Sequence, residues 1–288
     1  MEEKRASELV LSEGKVYHLD LGPEQISDTI ILVGDQFRVE LVSSFFETIE
    51  HQIQKREFIC HTGTYNGKRL SVLSTGIGTD NVDIVLNELD AVVNIDLEKR
   101  KEKTEKKSLN FIRIGTCGAL QTNVPIGSYI LSEGAVGLDN VAHFYNIPFS
   151  EAENNFREAL EKHISLPDSI RPYFCESDEA LTKSIENHPK IKRGITVTAS
   201  GFYGPQGRQL RLPLRTPDLN ERLMDFQHEG KHIVNFEMES SALFALSKAL
   251  GHRATTVCLA IANRPNGDFL SEYHTEMKEL IGFVLGEI

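Results

Sequence analysis

Several things are missing from this chain, and each absence narrows what it does. The four cysteines, Cys60, Cys117, Cys175 and Cys258, lie far apart and form no C-x-x-C pair. Three of them sit among apolar or small residues, so buried free thiols in a reducing compartment are expected. The N-terminus, M-E-E-K-R-A-S-E, is charged and has no apolar core of a signal peptide. No apolar run approaches membrane-spanning length, and a cytoplasmic protein is the expectation. A basic excess is also lacking: 42 acidic against 31 basic residues give a formal net charge of -11. That balance argues against broad nucleic-acid binding, which wants a basic face. An anionic substrate would have to be caught by local arginines. With no internal repeat, low-complexity tract or linker, residues 1–288 read as one domain.

What is present centres on Asn110–Leu120, N-F-I-R-I-G-T-C-G-A-L. Phe111, Ile112 and Ile114 read as a buried strand ending at a glycine. Arg113 interrupts that run, and a guanidinium in a core strand is costly unless an anion or a carboxylate meets it. Gly115, Thr116 and Gly118 follow, small enough for a backbone to approach a ligand. Ligands of open α/β sheets bind at the carboxyl ends of strands. Arg113 and Thr116 therefore suggest an oxyanion or phosphate site, and a structural ion pair followed by a tight turn is the alternative.

The other segments fall around that strand. Residues 1–14 are polar and read as frayed or extended. His18 lies in a short edge segment, Val16–Leu21, and would need to be delivered to a pocket, a neighbour's included, to bind a ligand. Thr29–Val33 is a near-continuous apolar run, as expected of a strand covered on both faces. It leads into Gly34 and then a helix bearing Arg38, a second anion-site pattern whose alternative is an ordinary turn with a surface arginine. Arg56–Tyr65 and Lys68–Ser74 predict a hairpin about Asn66-Gly67. Asp80–Leu97 predicts a helix, and the charge run Glu98–Lys107 predicts its solvent-exposed extension or a loop.

Further on, Gly127–Gly137 predicts a strand, Asp139–Phe149 a loop, and Glu151–Lys162 and Ser177–Asn187 helices, the second with Ala180, Leu181 and Ile185 inward. The strand Gly194–Ala199 opens onto a loop holding Phe202, Tyr203, Gln206 and Arg208. Stacking plus an amide and a guanidinium suits a flat heterocycle with ring carbonyls; a plain Gly/Pro loop is the alternative. Ile233–Phe236 leads to Glu237-Met238-Glu239 and a helix. Those carboxylates suit either a helix N-terminus or a polyol. Thr255–Ala262 is the last core strand, followed by Asn263-Arg264, and Ser271–Leu285 is a closing helix.

Taken in order, G-D-Q-F-R-V (34–39), R-E-F (56–58), S-T-G-I-G (74–78), F-I-R-I-G-T-C-G-A-L (111–120), F-Y-G-P-Q-G-R (202–208), F-E-M-E-S (236–240) and A-N-R (262–264) resemble the nucleoside phosphorylase-I family. The resemblance runs from His18 to the last helix. It implies a three-layer αβα fold with a mixed, barrel-like central sheet. It also implies a reaction, attack of phosphate on the anomeric carbon of uridine to give ribose 1-phosphate and uracil, with no metal or organic cofactor. By the family's pattern Gly34, Arg38, Arg113 and Thr116 bind phosphate. Arg56 joins them from an adjacent subunit, as does His18 at the ribose 5′-hydroxyl. Met238 and Glu239 hold the ribose; Phe202, Gln206 and Arg208 hold uracil, with Arg264 nearby. Arg113, Thr116, Glu239 and Arg208 would carry the chemistry.

Purine members carry an aspartate after the last core strand, where this chain reads Asn263-Arg264, and the resemblance favours uridine. Three rivals stand beside that reading: a purine nucleoside phosphorylase, a nucleosidase, which has no need of Arg38, Arg56 and Arg113 together, and a catalytically silent nucleoside sensor. The family's G-I-G-x-P-S reads G-I-G-T-D-N here, and its phosphate-loop proline is Gln36. A structural monovalent cation at the subunit interface thus stays open. So does a hexamer built of three dimers, since the 98–107 run reads as an insertion; a homodimer is the minimum.

Overall fold

The computed structural model describes residues 3–288. Apart from two-residue ladders, the chain order is β1 (Thr29–Val33), α1 (Phe37–Ser43), β2 (Thr48–Lys55), β3 (Phe58–Tyr65), β4 (Lys68–Ser74), α2 (Thr79–Asn94), β5 (Asn110–Ala119) and β6 (Tyr129–Gly137). Then come α3 (Glu151–His163), β7 (Tyr173–Glu176), α4 (Glu179–Ser184), β8 (Ile191–Thr198), α5 (Leu219–Asp225), β9 (Lys231–Glu237), α6 (Ser240–Leu250), β10 (Arg253–Asn263) and α7 (His274–Glu287). The strands form one mixed sheet in the order β9-β8-β6-β10-β5-β1-β4-β3-β2, with β7 beside β6. A further pairing of β9 with the end of β5 closes β5-β9-β8-β6-β10 into a ring. The expected barrel-like sheet is therefore present.

Alternation along the central strands explains both the layers and the position of the site. Ile30 and Leu32 of β1 and Phe111 of β5 pack with apolar residues of α2 and α6. Ile31, Val33, Ile112 and Ile114 turn to the opposite face, against α1 and α7. A period of two sends neighbours to opposite sides, so both faces are buried and the run is continuously apolar. Arg113 shares the Phe111 face and points toward the N-termini of α2 and α6. β1 stays in register with β5 only to Val33 opposite Ile114. Beyond that point β5 continues along β10 and bends until Gly118 and Ala119 pair with Phe236 and Asn235. The divergence opens a cleft at the strand ends.

Several local expectations are corrected. Residues 1–2 lie outside the described part, but the rest of the N-terminal arm is not frayed: Leu9 is buried, and Leu11–Ser12 pairs with Lys15–Val16. The charge run neither extends α2 nor hangs free. It folds back so that Ile95–Asp96 pairs with Lys101–Glu102. Lys103 Nζ donates to Val93 O at 2.8 Å, satisfying a carbonyl at the end of α2. A strand was overlooked at Thr48–Lys55, where T-I-E-H-Q-I-Q-K lies on the sheet edge with its side chains largely in solvent. α4 is shorter than expected, and Ala180 faces solvent while Thr182 and Ile185 point inward. The hairpin at Asn66-Gly67 is as predicted: both residues have positive φ (48° and 72°) and Tyr65 pairs with Lys68.

Candidate active site

A cleft of about 950 Å³ occupies the divergence of β1 and β5. One end is built from strand termini. Gly34 follows β1, Arg38 lies at the start of α1, and Thr116 lies on β5 just past its divergence from β1; all three line the cleft with Arg113. The guanidinium of Arg113 is 4% exposed. It pairs with Glu239 and lies 3.3 Å from Glu237 and 3.3 Å from Cys258 Sγ. Glycine at 115 is required here, because a Cβ would stand 2.2 Å from Arg113 Nη1. Arg113 is thus ion-paired, but no tight turn follows it, since β5 runs on to Ala119, and the same guanidinium also lines the cleft.

The two carboxylates of E-M-E divide their work. Glu237 Oε2 accepts from the Ser240 and Glu239 amides at 2.9 and 3.0 Å and from Ser240 Oγ at 2.9 Å, capping α6. Glu239 faces the cleft, where its Oε1 accepts from the Gly78 amide at 2.7 Å. Gly78, at φ 99°, stands at the N-terminus of α2. Burial lowers the Arg113 pKa, but Glu239, Cys258 and Glu237 more than offset it, so the group stands above the ordinary arginine value. Burial raises the Glu239 carboxyl, and Glu237 adds to that while Arg113 opposes it. One guanidinium between two buried carboxylates cannot satisfy both.

Arg38 differs. It is 8% exposed, donates only to Ile114 O at 3.3 Å, and meets no carboxylate in ion-pair contact among the described residues. Burial lowers its pKa. A buried cation left with one carbonyl calls for an anion.

The other end is carried by the loop after β8 and the turn after β10. Arg208 lies over the Phe202 ring, 3.8 Å from its centroid, and donates to Phe202 O and Gln206 Oε1 at 2.6 and 2.7 Å. Arg264 lies 4.8 Å from the Phe236 centroid and donates to Gln206 O and Gln206 Oε1. Two guanidiniums on Oε1 leave the Gln206 NH₂ as a donor for a ligand. Burial, then the neighbouring Arg208, push Arg264 down to about 9. Gly118 makes room, since a Cβ there would stand 3.3 Å from Arg264 Nε.

Ten of the twelve residues singled out by sequence line this cleft: Gly34, Arg38, Arg113, Thr116, Phe202, Gln206, Arg208, Met238, Glu239 and Arg264. His18 and Arg56 do not. They lie together on another surface, where Arg56 is 5.8 Å from the Tyr17 ring and His18 is 5.0 Å from it. Glu88 accepts from His18 Nδ1 at 2.6 Å and from the His18 and Leu19 amides. Sequence reasoning overlooked Phe236, Phe269 and Tyr273, all cleft-lining. The last two lie in the turn and helix start after β10, where nothing in the local pattern set them apart.

Residues 28–282 match the model of the Phosphorylase superfamily, and the chain belongs to that family. Among its relatives, a uridine phosphorylase of Thermococcus kodakarensis is 32% identical over 89% of this chain and 80% of its own. A DeoD-type purine nucleoside phosphorylase of Brevibacillus brevis is 28% identical over 83% of each chain. Among solved structures, a Trypanosoma brucei nucleoside phosphorylase that shows uridine phosphorylase activity superposes with a TM-score of 0.87 at 28% identity, covering 97% of this chain and all of its own.

Proposed function

We propose that this protein cleaves uridine with phosphate, yielding uracil and ribose 1-phosphate. The observation that carries the reading is the pair of cationic ends in one cleft: Arg38 and Arg113 at the strand termini, Arg208 and Arg264 around Gln206. A dianionic nucleophile fits the first end, held by Arg38, the Gly34 backbone and Thr116 beside Arg113. The ribose lies between, on Met238 and Glu239. As the C1′–N1 bond breaks, positive charge grows on the sugar and negative charge on the ring. Phosphate and Glu239 flank the first; Arg208, Arg264 and the Gln206 amide face the second, and such prearranged dipoles are worth most in a dry site. Holding phosphate against C1′ supplies much of the remaining acceleration. This chemistry calls for no metal or organic cofactor.

Two details favour uridine over its rivals. A nucleosidase has no use for Arg38 as an unpaired buried cation. A purine would want a proton donor at the base, and Asn263 spends its amide on the Gln121 and Val124 carbonyls instead. We infer too that the working unit is at least a dimer, with Arg56 and His18 serving a second copy; Arg56 makes no ion pair among the described residues and stands at the β2–β3 turn with φ 56°. No described helix is long and apolar enough to cross a membrane. The test is uracil release from uridine with and without phosphate, inosine in parallel. Phosphate-dependent release with inosine untouched is expected. Release without phosphate would identify a nucleosidase, inosine cleavage alone a purine enzyme, and no turnover a silent sensor.

A further inference from the structure

Asn263 is fully buried at the cleft, and both donors of its amide are committed to backbone carbonyls. Its Nδ2 donates to Gln121 O at 2.9 Å and to Val124 O at 2.7 Å, while its Oδ1 accepts from the Asn266 amide at 3.0 Å. Asn266 Nδ2 adds a bond to Thr122 O at 3.2 Å. The 121–124 turn is itself anchored, since Gln121 Nε2 donates to Met224 O and Ile233 O at 3.0 and 2.8 Å. One residue on, the Arg264 amide donates to Ala119 O and its guanidinium reaches Gln206. Two turns far apart in sequence are thus riveted by one buried side chain, and the neighbour of that side chain carries a guanidinium into the site.

We propose that Asn263 is the positioning residue for the base end: by pinning the 263–267 turn to the 121–124 turn it sets where Arg264 stands, and through Arg264 where Gln206 presents its amide. The inference rests on the uridine reading. Among the described residues no carboxylate pairs with Arg264, so its place depends on the backbone that bears it. Two donors are needed at position 263, because two carbonyls face it. An aspartate there would fit the space and set oxygen against oxygen.

The test is steady-state kinetics of wild type and of Asn263→Asp, Asn263→Ala and Asn266→Ala, varying uridine and phosphate separately, with melting curves alongside. For both Asn263 variants the KM for uridine is expected to rise about tenfold or more, the scale of losing one hydrogen bond to a charged group. The KM for phosphate should stay within about twofold, because the strand-end arginines are untouched. Asn266→Ala, an exposed position that loses one bond, should move uridine alone and by less; it decides the matter if the Asn263 variants do not fold. An unchanged uridine KM, or uridine and phosphate KM rising together, would overturn the positioning role. A wild-type protein that leaves uridine intact would instead remove the underlying reading, and this role with it.

Discussion

The two ends of the cleft hold their arginines by opposite means. At the strand ends Arg113 is clamped by two carboxylates, Glu237 and Glu239, at 4% exposure. At the base end Arg208 and Arg264 share a neutral amide, Gln206, and no carboxylate among the described residues pairs with either. The first arrangement carries its counter-charge before any ligand arrives and belongs to the core. The second leaves positive charge waiting, on a loop and a turn. Arg38 stands between the two types, at the core-built end yet unpaired. Position in the sheet therefore does not decide which arginines await an anion; the supply of carboxylates does.

The comparison breaks most visibly at Arg113. Arg113→Ala should abolish phosphorolysis, by about 10³-fold or more. It should also destabilise the fold by roughly 3–5 kcal/mol, since two buried carboxylates lose their cation. A melting curve beside the assay separates the effects, and adding Glu239→Gln should recover part of the stability and none of the activity. A folded Arg113→Ala protein that turned over uridine normally would refute the site.

Arg38 should behave in the reverse manner. Arg38→Met replaces a buried, unpaired cation with an apolar chain of similar length, a change that is often neutral or stabilising. Activity should fall about 10²-fold, chiefly through the phosphate KM. Phosphate at about 100 times its Kd should protect the wild type by roughly 2.7 kcal/mol, and the variant should lose that protection. A melting point that drops sharply would mean Arg38 is structural.

How much of this was legible in the sequence follows from the same physics. Arg113 announced itself because a charge inside an apolar strand has to be met, and the strand alternation that points it at Glu239 is a period-two property. The base-end loop was readable from Phe202, Gln206 and Arg208 as types. What sequence could not assign was which partner each arginine takes: Glu237 and Glu239 are two residues apart, yet one caps α6 and the other accepts from the Gly78 amide at the start of α2. β2 was overlooked because its edge position leaves little apolar alternation to read. The 98–107 run looked like a solvated helix end, since the one α2 carbonyl that its lysine side chain satisfies lies nearby only after folding.

The smallest effect is the one that sharpens the comparison furthest. Gln206→Glu would give the base end what the strand end already has, a carboxylate between guanidiniums. Arg208 and Arg264 would then be paired before any base arrives, and the partly buried contact should add about 1–2 kcal/mol, roughly 2–4 °C in Tm. The same substitution removes the free NH₂ and neutralises the charge offered to the departing ring, so kcat/KM for uridine should fall by about 10²-fold. Stability and turnover moving in opposite directions is the outcome expected of a site kept unsatisfied for its ligand. If both fell together, Gln206 would be holding the loop rather than the base, and the contrast between the two ends would reduce to a difference in packing.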